Sequence, residues 1–227
     1  MLNPIMKTSP EITVIIAAGG TGTRFGKNIP KQFVTEGKRP VLWHTLKAIH
    51  QSCPGAAIIV SMHADSMGLW NQMLRKFPDT PSHKVVKGGQ TRFHSVKNAL
   101  AHCPDNGIIL VHDAVRPYVP EEVIKAVIHT ASEKGTAIPV LPVNESLRKV
   151  TQYGSKGVNR KDFVVVQTPQ GFRAEIIKKA YTCRYKTSFT DDASVVESAG
   201  YRICHVPGST ENIKITFPQD MKGVRKN

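Results

Sequence analysis

The sequence predicts an α/β protein, a mostly parallel sheet with helices on both faces. Three observations carry that reading. Short apolar, β-branched runs recur at ITVIIAA, AIIVSM and IILVH. They lack the polar alternation of a half-exposed strand, so they suit strands covered on both sides. Stretches with apolar residues at helical spacing fall between them, and strands that alternate with helices imply parallel pairing.

The elements follow in order. Ile12–Ala18 is the first buried strand and breaks into glycines. Residues 41–50 place Leu42, Leu46 and Ile49 on one face of a helix. Ala57–Met62 is a second buried strand, residues 70–77 are a weak helix, and Lys84–Lys87 is a short strand running into Gly88 and Gly89. Residues 93–101 are helical, with Val96 and Leu100 four apart, and residues 108–112 form a third clear strand that stops at Asp113. Pro120, Glu121 and Glu122 open the next helix, where proline and carboxylates suit the first turn, and Gly135 closes it.

Residues 137–143 contain Pro139 and Pro142, which predicts a strand at an edge or leaving the sheet. Residues 146–150 and 163–167 read as two strands joined by a loop with Gly154 and Gly157, a protruding hairpin. Residues 174–183 are helical, and Asp191 or Asp192 caps a helix that Gly200 ends. Residues 203–206 and 213–216 finish as strands. In sheets of this kind ligands bind beyond the carboxyl ends of the strands. That places the first glycine loop, Gly88-Gly89 and Asp113 on one rim.

The chain has 227 residues, which suits a short N-terminal extension over residues 1–11 and one domain over 12–227. Hydrophobic residues make up 40% and charged residues 21%, a globular composition. No apolar run approaches a membrane span or a signal-peptide core, and the chain reads as cytoplasmic. Cys53, Cys103, Cys183 and Cys204 have no metal-binding spacing and read as buried reduced thiols. Lys plus Arg number 31 against 17 Asp plus Glu, a net charge of +14 that favours anionic partners. The basic residues are scattered, and the 7% of aromatics do not interleave with them as a base-stacking surface would. Small phosphorylated substrates suit this pattern better than nucleic acid.

The loop after the first strand reads IIAAGGTGTRFGKNIPKQF. It is not a P-loop, because three residues separate Gly22 from Gly26 and Asn28 replaces the Ser or Thr. It is not a dinucleotide fingerprint either, because the third glycine position falls on Phe25. Small residues still let backbone N–H groups approach an anion, and Arg24 and Lys31 add full charges. A plain tight turn with two surface cations is the competing reading. Asp113 has two readings as well: a turn cap, or a carboxylate placed for Mg²⁺ or a ribose hydroxyl. Arg116 is a surface residue or a clamp for a substrate phosphate.

The segments AGGTGTRFGKNIPKQF, GGQTRFHSV, VHDAVRP, QTPQGF, TDDASVVE and ENIKIT occur in this order. Together they resemble the 2-C-methyl-D-erythritol 4-phosphate cytidylyltransferase family over roughly residues 12–220. The resemblance implies a Rossmann-like, nucleotide-diphospho-sugar transferase-like fold with a dimerisation arm near residues 144–167. It implies transfer of a cytidylyl group from CTP to a polyol phosphate, with Mg²⁺ or another divalent cation, in a homodimer. Arg24, Lys31 and Lys214 would be catalytic. Ala17, Ala18, Gly19, Gly20, Gly89, Gln90, Ser95 and Asp113 would bind CTP, with Asp113 also at the metal. Arg116, Ser146, Arg160 and Thr168 would read the second substrate, Ser146 and Arg160 from the neighbouring subunit. Ser146 stands where the family has Thr, the glycine loop is one residue longer than the commoner form, and the tail MKGVRKN lacks a long final helix. Ribitol-5-phosphate cytidylyltransferase shares the chemistry and differs in the polyol pocket.

Overall fold

The computed structural model describes residues 10–20 and 29–224. The elements are β1 (Ile12–Ala18), a 3-10 turn (Lys31–Phe33), β2 (Thr35–Glu36), β3 (Arg39–Pro40), α1 (Val41–Ser52), β4 (Ala57–Met62), α2 (Ala64–Lys76) and β5 (Lys84–Lys87). Then come α3 (Arg92–Leu100), β6 (Ile108–Asp113), α4 (Glu121–Lys134), β7 (Thr136–Pro142), β8 (Leu147–Thr151) and β9 (Gly154–Val158). The chain continues through β10 (Val164–Val166), β11 (Gln170–Arg173), α5 (Ala174–Ala180), α6 (Asp192–Ser198) and β12 (His205–Pro207).

The main sheet runs β10-β7-β11-β6-β1-β4-β5, with β12 also on β7. Pairs β6–β1, β1–β4, β4–β5 and β7–β12 are parallel, while β10 and β11 run antiparallel to their neighbours. Alternate residues of the central strands feed two cores. Val14, Ile16, Ile108 and Leu110 pack with Leu42 and Leu46 of α1 and Val127 of α4. Ile15, Ile109 and Val111 pack on the other face with Phe93 and Val96 of α3, Ile177 of α5 and Val196 of α6. Both faces of β1 and β6 are therefore covered, which is why their sequences show no polar alternation. Gly135 stops α4 at φ 90°, a left-handed conformation that glycine adopts without a Cβ clash.

Five expectations need correction. β7 is not an edge strand: Val140 pairs with Val166 on one side and Pro207 on the other. The protruding hairpin pairs β8 with β9 through a two-residue turn at Gln152 and Tyr153, so the segment read as a glycine loop is a strand. Residues 164–166, the expected second arm of that hairpin, join the main sheet at β7 instead. Residues 213–216 form no strand, although the Ile215 N–H still donates to the Val115 carbonyl at 2.9 Å. The weak helix begins earlier than expected, because only Ser66 and Trp70 of α2 are buried and its exposed first turn carries no apolar period. Of the cysteines, Cys53 and Cys103 are buried and Cys183 and Cys204 are half-buried, all with free thiols.

Candidate active site

The carboxyl ends of β1 and β6 open onto a cavity of about 340 Å³. Ala17, Ala18, Gly19 and Gly20 form its floor as β1 ends, and Lys31 comes from the 3-10 turn beyond. Gln32 fastens this loop: its buried side-chain amide donates to the Ala18 carbonyl at 2.9 Å and the Gly20 carbonyl at 3.3 Å. The opposite wall is the entry to α3, with Gln90, Thr91, Arg92 and Ser95. Thr91 caps that helix, and with Arg92 it brings the helix's N-terminal end, where an anion is favoured, to the cavity.

Ser95 joins the two walls. Its hydroxyl accepts from the Gly89 N–H at 3.1 Å and donates to the Thr91 carbonyl at 3.0 Å. A Cβ on Gly19 would come within 2.8 Å of this oxygen, and one on Gly88 within 2.9 Å. Glycine at both positions lets the two loops close on one serine. Gly89 itself does not line the cavity; it stands behind the wall, held by Ser95.

Asp113, at the end of β6, is 7% exposed and surrounded by cations. Its Oδ2 lies 2.9 Å from Lys214 Nζ and 3.3 Å from Arg116 Nε, and its Oδ1 lies 3.7 Å from Arg92 Nε. Burial pushes this carboxyl up, but Arg92, Lys214 and Arg116 outweigh it and hold Asp113 well below the usual carboxylate range. Burial pulls the Arg116 guanidinium down from its ordinary value, an effect that Asp113 opposes. Arg92 is held above its ordinary value: burial would lower it, and Asp192 and Asp113 prevail.

A second cavity of about 250 Å³ adjoins the first. Arg116, Thr168, Gln170 and Asp191 line it, and Arg92, Asp113 and Lys214 line both. The three shared residues form a charged seam between two compartments. Arg116 is anchored there by its Nη1, which donates to the Asn212 carbonyl at 2.6 Å. Asn212 in turn donates to the Thr168 carbonyl at 2.8 Å, which fixes the segment that carries Lys214.

Beneath the seam lies His112, fully buried. Burial pulls its imidazole down to about 4, although Asp113 beside it acts in the opposite sense. Its Nδ1 is 3.0 Å from Thr168 Oγ1 and its Nε2 is 3.1 Å from the Arg116 carbonyl.

The expected site residues are thus largely assembled. Lys31, Lys214, Ala17, Ala18, Gly19, Gly20, Gln90, Ser95 and Asp113 meet at the first cavity, and Arg116 and Thr168 at the second. Arg24 falls outside the described residues. Ser146 and Arg160 are exposed on the arm and line neither cavity of this chain; Arg160 Nη1 donates to the Asn144 carbonyl. Sequence reading missed Arg92, Gln32, His112 and Asp192. Arg92 stands within GGQTRFHSV, and a cation at the first turn of a helix, where the dipole disfavours it, was an available signal.

Asp113 is the one carboxylate among the described residues that line the first cavity. No group of three or more His, Cys, Asp or Glu among the described residues could hold a metal. Mg²⁺ is commonly held by one or two carboxylates together with substrate phosphates. Asp113 fits that mode, because Oδ1 carries only the looser 3.7 Å contact to Arg92 and borders the cavity. Among the described residues, no helix is long and apolar enough to cross a membrane.

Comparison with known proteins agrees with this geometry. The family model for 2-C-methyl-D-erythritol 4-phosphate cytidylyltransferase matches residues 12–224. A protein of that name from Phocaeicola vulgatus is 44% identical over 209 residues, 92% of this chain and 95% of its own. One from Bacteroides thetaiotaomicron is 44% identical over 210 residues, 92% of this chain and 96% of its own. The crystal structure of the Francisella tularensis enzyme superposes with a TM-score of 0.78 at 30% identity, covering 94% of this chain and 97% of that one.

Proposed function

The chain belongs to the 2-C-methyl-D-erythritol 4-phosphate cytidylyltransferase family, and from that premise we propose how its residues carry out the reaction. The enzyme is a nucleotidyltransferase: it moves a cytidylyl group from CTP to 2-C-methyl-D-erythritol 4-phosphate and releases pyrophosphate, a step of isoprenoid precursor synthesis. The observation that carries the proposal is the seam of Arg92, Asp113 and Lys214 shared by two cavities. The first cavity takes CTP and the second takes the polyol phosphate, so the α-phosphate and the attacking phosphate meet at the seam.

The attacking oxygen belongs to a phosphate monoester already ionised at neutral pH, so no general base is needed. What opposes the reaction is repulsion between two anions. Preorganised cations and backbone dipoles offset it without reorganising as charge develops. Lys31 and Arg24 flank the triphosphate, Lys214 reaches the α-phosphate from the far side, and Arg116 clamps the acceptor's phosphate. Ala17, Ala18, Gly19 and Gly20 offer backbone to the phosphates; Gln90, with Gly89 and Ser95 behind it, frames the base.

Asp113 would hold Mg²⁺ together with the nucleotide, and the ion would supply charge neutralisation at the phosphates. The arm that carries Ser146 and Arg160 completes the acceptor site of a second subunit in a cytoplasmic homodimer. Its exposed Val150 and Tyr153, with Phe163, Val164 and Val165 near its base, support burial against another copy.

The experiment is a panel of CTP with 2-C-methyl-D-erythritol 4-phosphate and ribitol 5-phosphate at a fixed divalent ion, following pyrophosphate release. Release with the methylerythritol ester is the expected result. A clear preference for the ribitol ester would overturn the substrate assignment, and release with neither would overturn the reaction.

A further inference from the structure

We propose that His112 is a positioning residue for the acceptor side of the site, and that it turns the Thr168 hydroxyl into an acceptor rather than a donor toward the substrate. The inference rests on the functional reading above. A carbonyl oxygen can only accept, so the 3.1 Å contact with the Arg116 carbonyl requires a proton on His112 Nε2. The neutral ring then has a bare Nδ1, which accepts the Thr168 hydroxyl proton at 3.0 Å. The same hydroxyl accepts the Asp113 N–H at 3.1 Å.

The directions are therefore fixed all the way round. The Asp113 N–H donates to Thr168, Thr168 donates to His112, and His112 donates to the Arg116 carbonyl. The turn between Asp113 and Arg116 is closed by its own bond, Arg116 N–H to Asp113 carbonyl, at 3.2 Å. Asp113, Arg116 and Thr168 line the second cavity, whereas His112 does not. It is fully buried and acts only through those three.

Two chemical consequences follow. An imidazole N–H ties the Arg116 carbonyl to the sheet, alongside the Ala114 N–H to the Ala17 carbonyl at 3.3 Å. The one proton of Thr168 is committed to His112, so toward a ligand in the cavity that Thr168 lines the hydroxyl has only a lone pair to offer. That lone pair can receive a hydroxyl of the polyol but cannot donate to a phosphate oxygen. The acceptor's phosphate therefore goes to the cations, and a carbinol O–H goes to Thr168.

The test combines a spectroscopic and a kinetic measurement on the full chain. Long-range imidazole ¹⁵N–¹H correlation spectra of the wild type at pH 7 should show the Nε2-protonated neutral tautomer of His112. Thr168→Val should move the Nδ1 resonance. In steady-state assays, His112→Asn and Thr168→Val should each raise KM for 2-C-methyl-D-erythritol 4-phosphate about tenfold, the scale of one lost hydrogen bond. KM for CTP should stay within about twofold, and Thr168→Ser should restore the acceptor KM. An Nδ1-protonated ring in the wild type would overturn the proposal. So would an unchanged acceptor KM in an active enzyme, or parallel rises in both KM values, which mark general loosening. Thr168→Val, nearly isosteric, carries the test if the His112 variant does not fold. A wild type that turns over neither ester would instead sink the functional reading, and the positioning role with it.

Discussion

Arg92 donates to both oxygens of the fully buried Asp192, Nη1 to Oδ1 at 2.9 Å and Nη2 to Oδ2 at 2.6 Å. Tyr181 completes the carboxylate's shell with a 2.7 Å bond to Oδ1. Arg92 thus faces Asp113 at the seam from a fixed base, and the helices α3 and α6 are joined by one planar fork. Removing the buried carboxylate takes a charge-assisted fork from Arg92, whose side chain is 30% exposed, and the partner of Tyr181. Asp192→Asn should therefore cost about 1.5–3 kcal/mol of stability, measured by urea unfolding. A change below about 1 kcal/mol would show that the pair is exposed in solution.

In the proposed mechanism Lys31 and Lys214 act on charge that grows as phosphate meets phosphate. Lys31→Ala or Lys214→Ala should lower kcat by about 10²–10³. CTP affinity, measured by calorimetry, should weaken far less. Near wild-type turnover in either variant would remove that lysine from the mechanism.

Arg160 lies on the arm and away from this chain's own cavities, so its proposed work is done in a neighbouring subunit. Arg160→Ala alone should raise the acceptor KM. Mixing it with Lys31→Ala after co-refolding should restore about a quarter of wild-type activity, because half of the dimers then hold one intact site. No recovery on mixing would place Arg160 outside the neighbour's site.

His112 gives the fold an acid limit. Its folded value of about 4 lies below the ordinary 6.5, so the folded state binds fewer protons than the unfolded chain and stability rises with pH. The contribution is complete above about 6.5 and is lost as pH falls toward 4. Its charged neighbours are Asp113, Arg116 and Arg92, and the depressed Asp113 adds its own loss at still lower pH. Tm should fall between pH 7 and 4.5, and the slope should be shallower in His112→Gln. An identical slope in that variant would assign the effect to other groups.

The strands Ile12–Ala18, Ala57–Met62 and Lys84–Lys87 were legible to the residue. Runs buried on both faces leave a local, uninterrupted signal, and the capping Asp191 and closing Gly135 are local chemistry too. What was not legible depends on distant pairing. Arg92 and Asp192 are 100 positions apart, and Asp113 and Thr168 are 55 apart. Nothing near either residue in the chain announces its partner. The arm failed for a related reason. A valine-rich segment suits any strand, and its pairing with β7 rather than β8 is decided by the sheet edge it finds. In the site, Ser95 was legible from its motif, whereas Gln32 and His112 were not: Gln32 bonds to backbone carbonyls, and His112 to the Arg116 carbonyl and the Thr168 hydroxyl.

If the two cavities are filled as proposed, the seam between them also fixes the stereochemistry of the transfer. In the proposed mechanism nucleotide and acceptor approach from opposite sides of the shared Arg92, Asp113 and Lys214, and the hydroxyls of Ser95 and Thr168 are engaged with protein groups. A single in-line displacement leaves no side chain carrying the nucleotidyl group between two half-reactions. A sulfur-labelled, chiral α-phosphorus should consequently emerge with its handedness reversed.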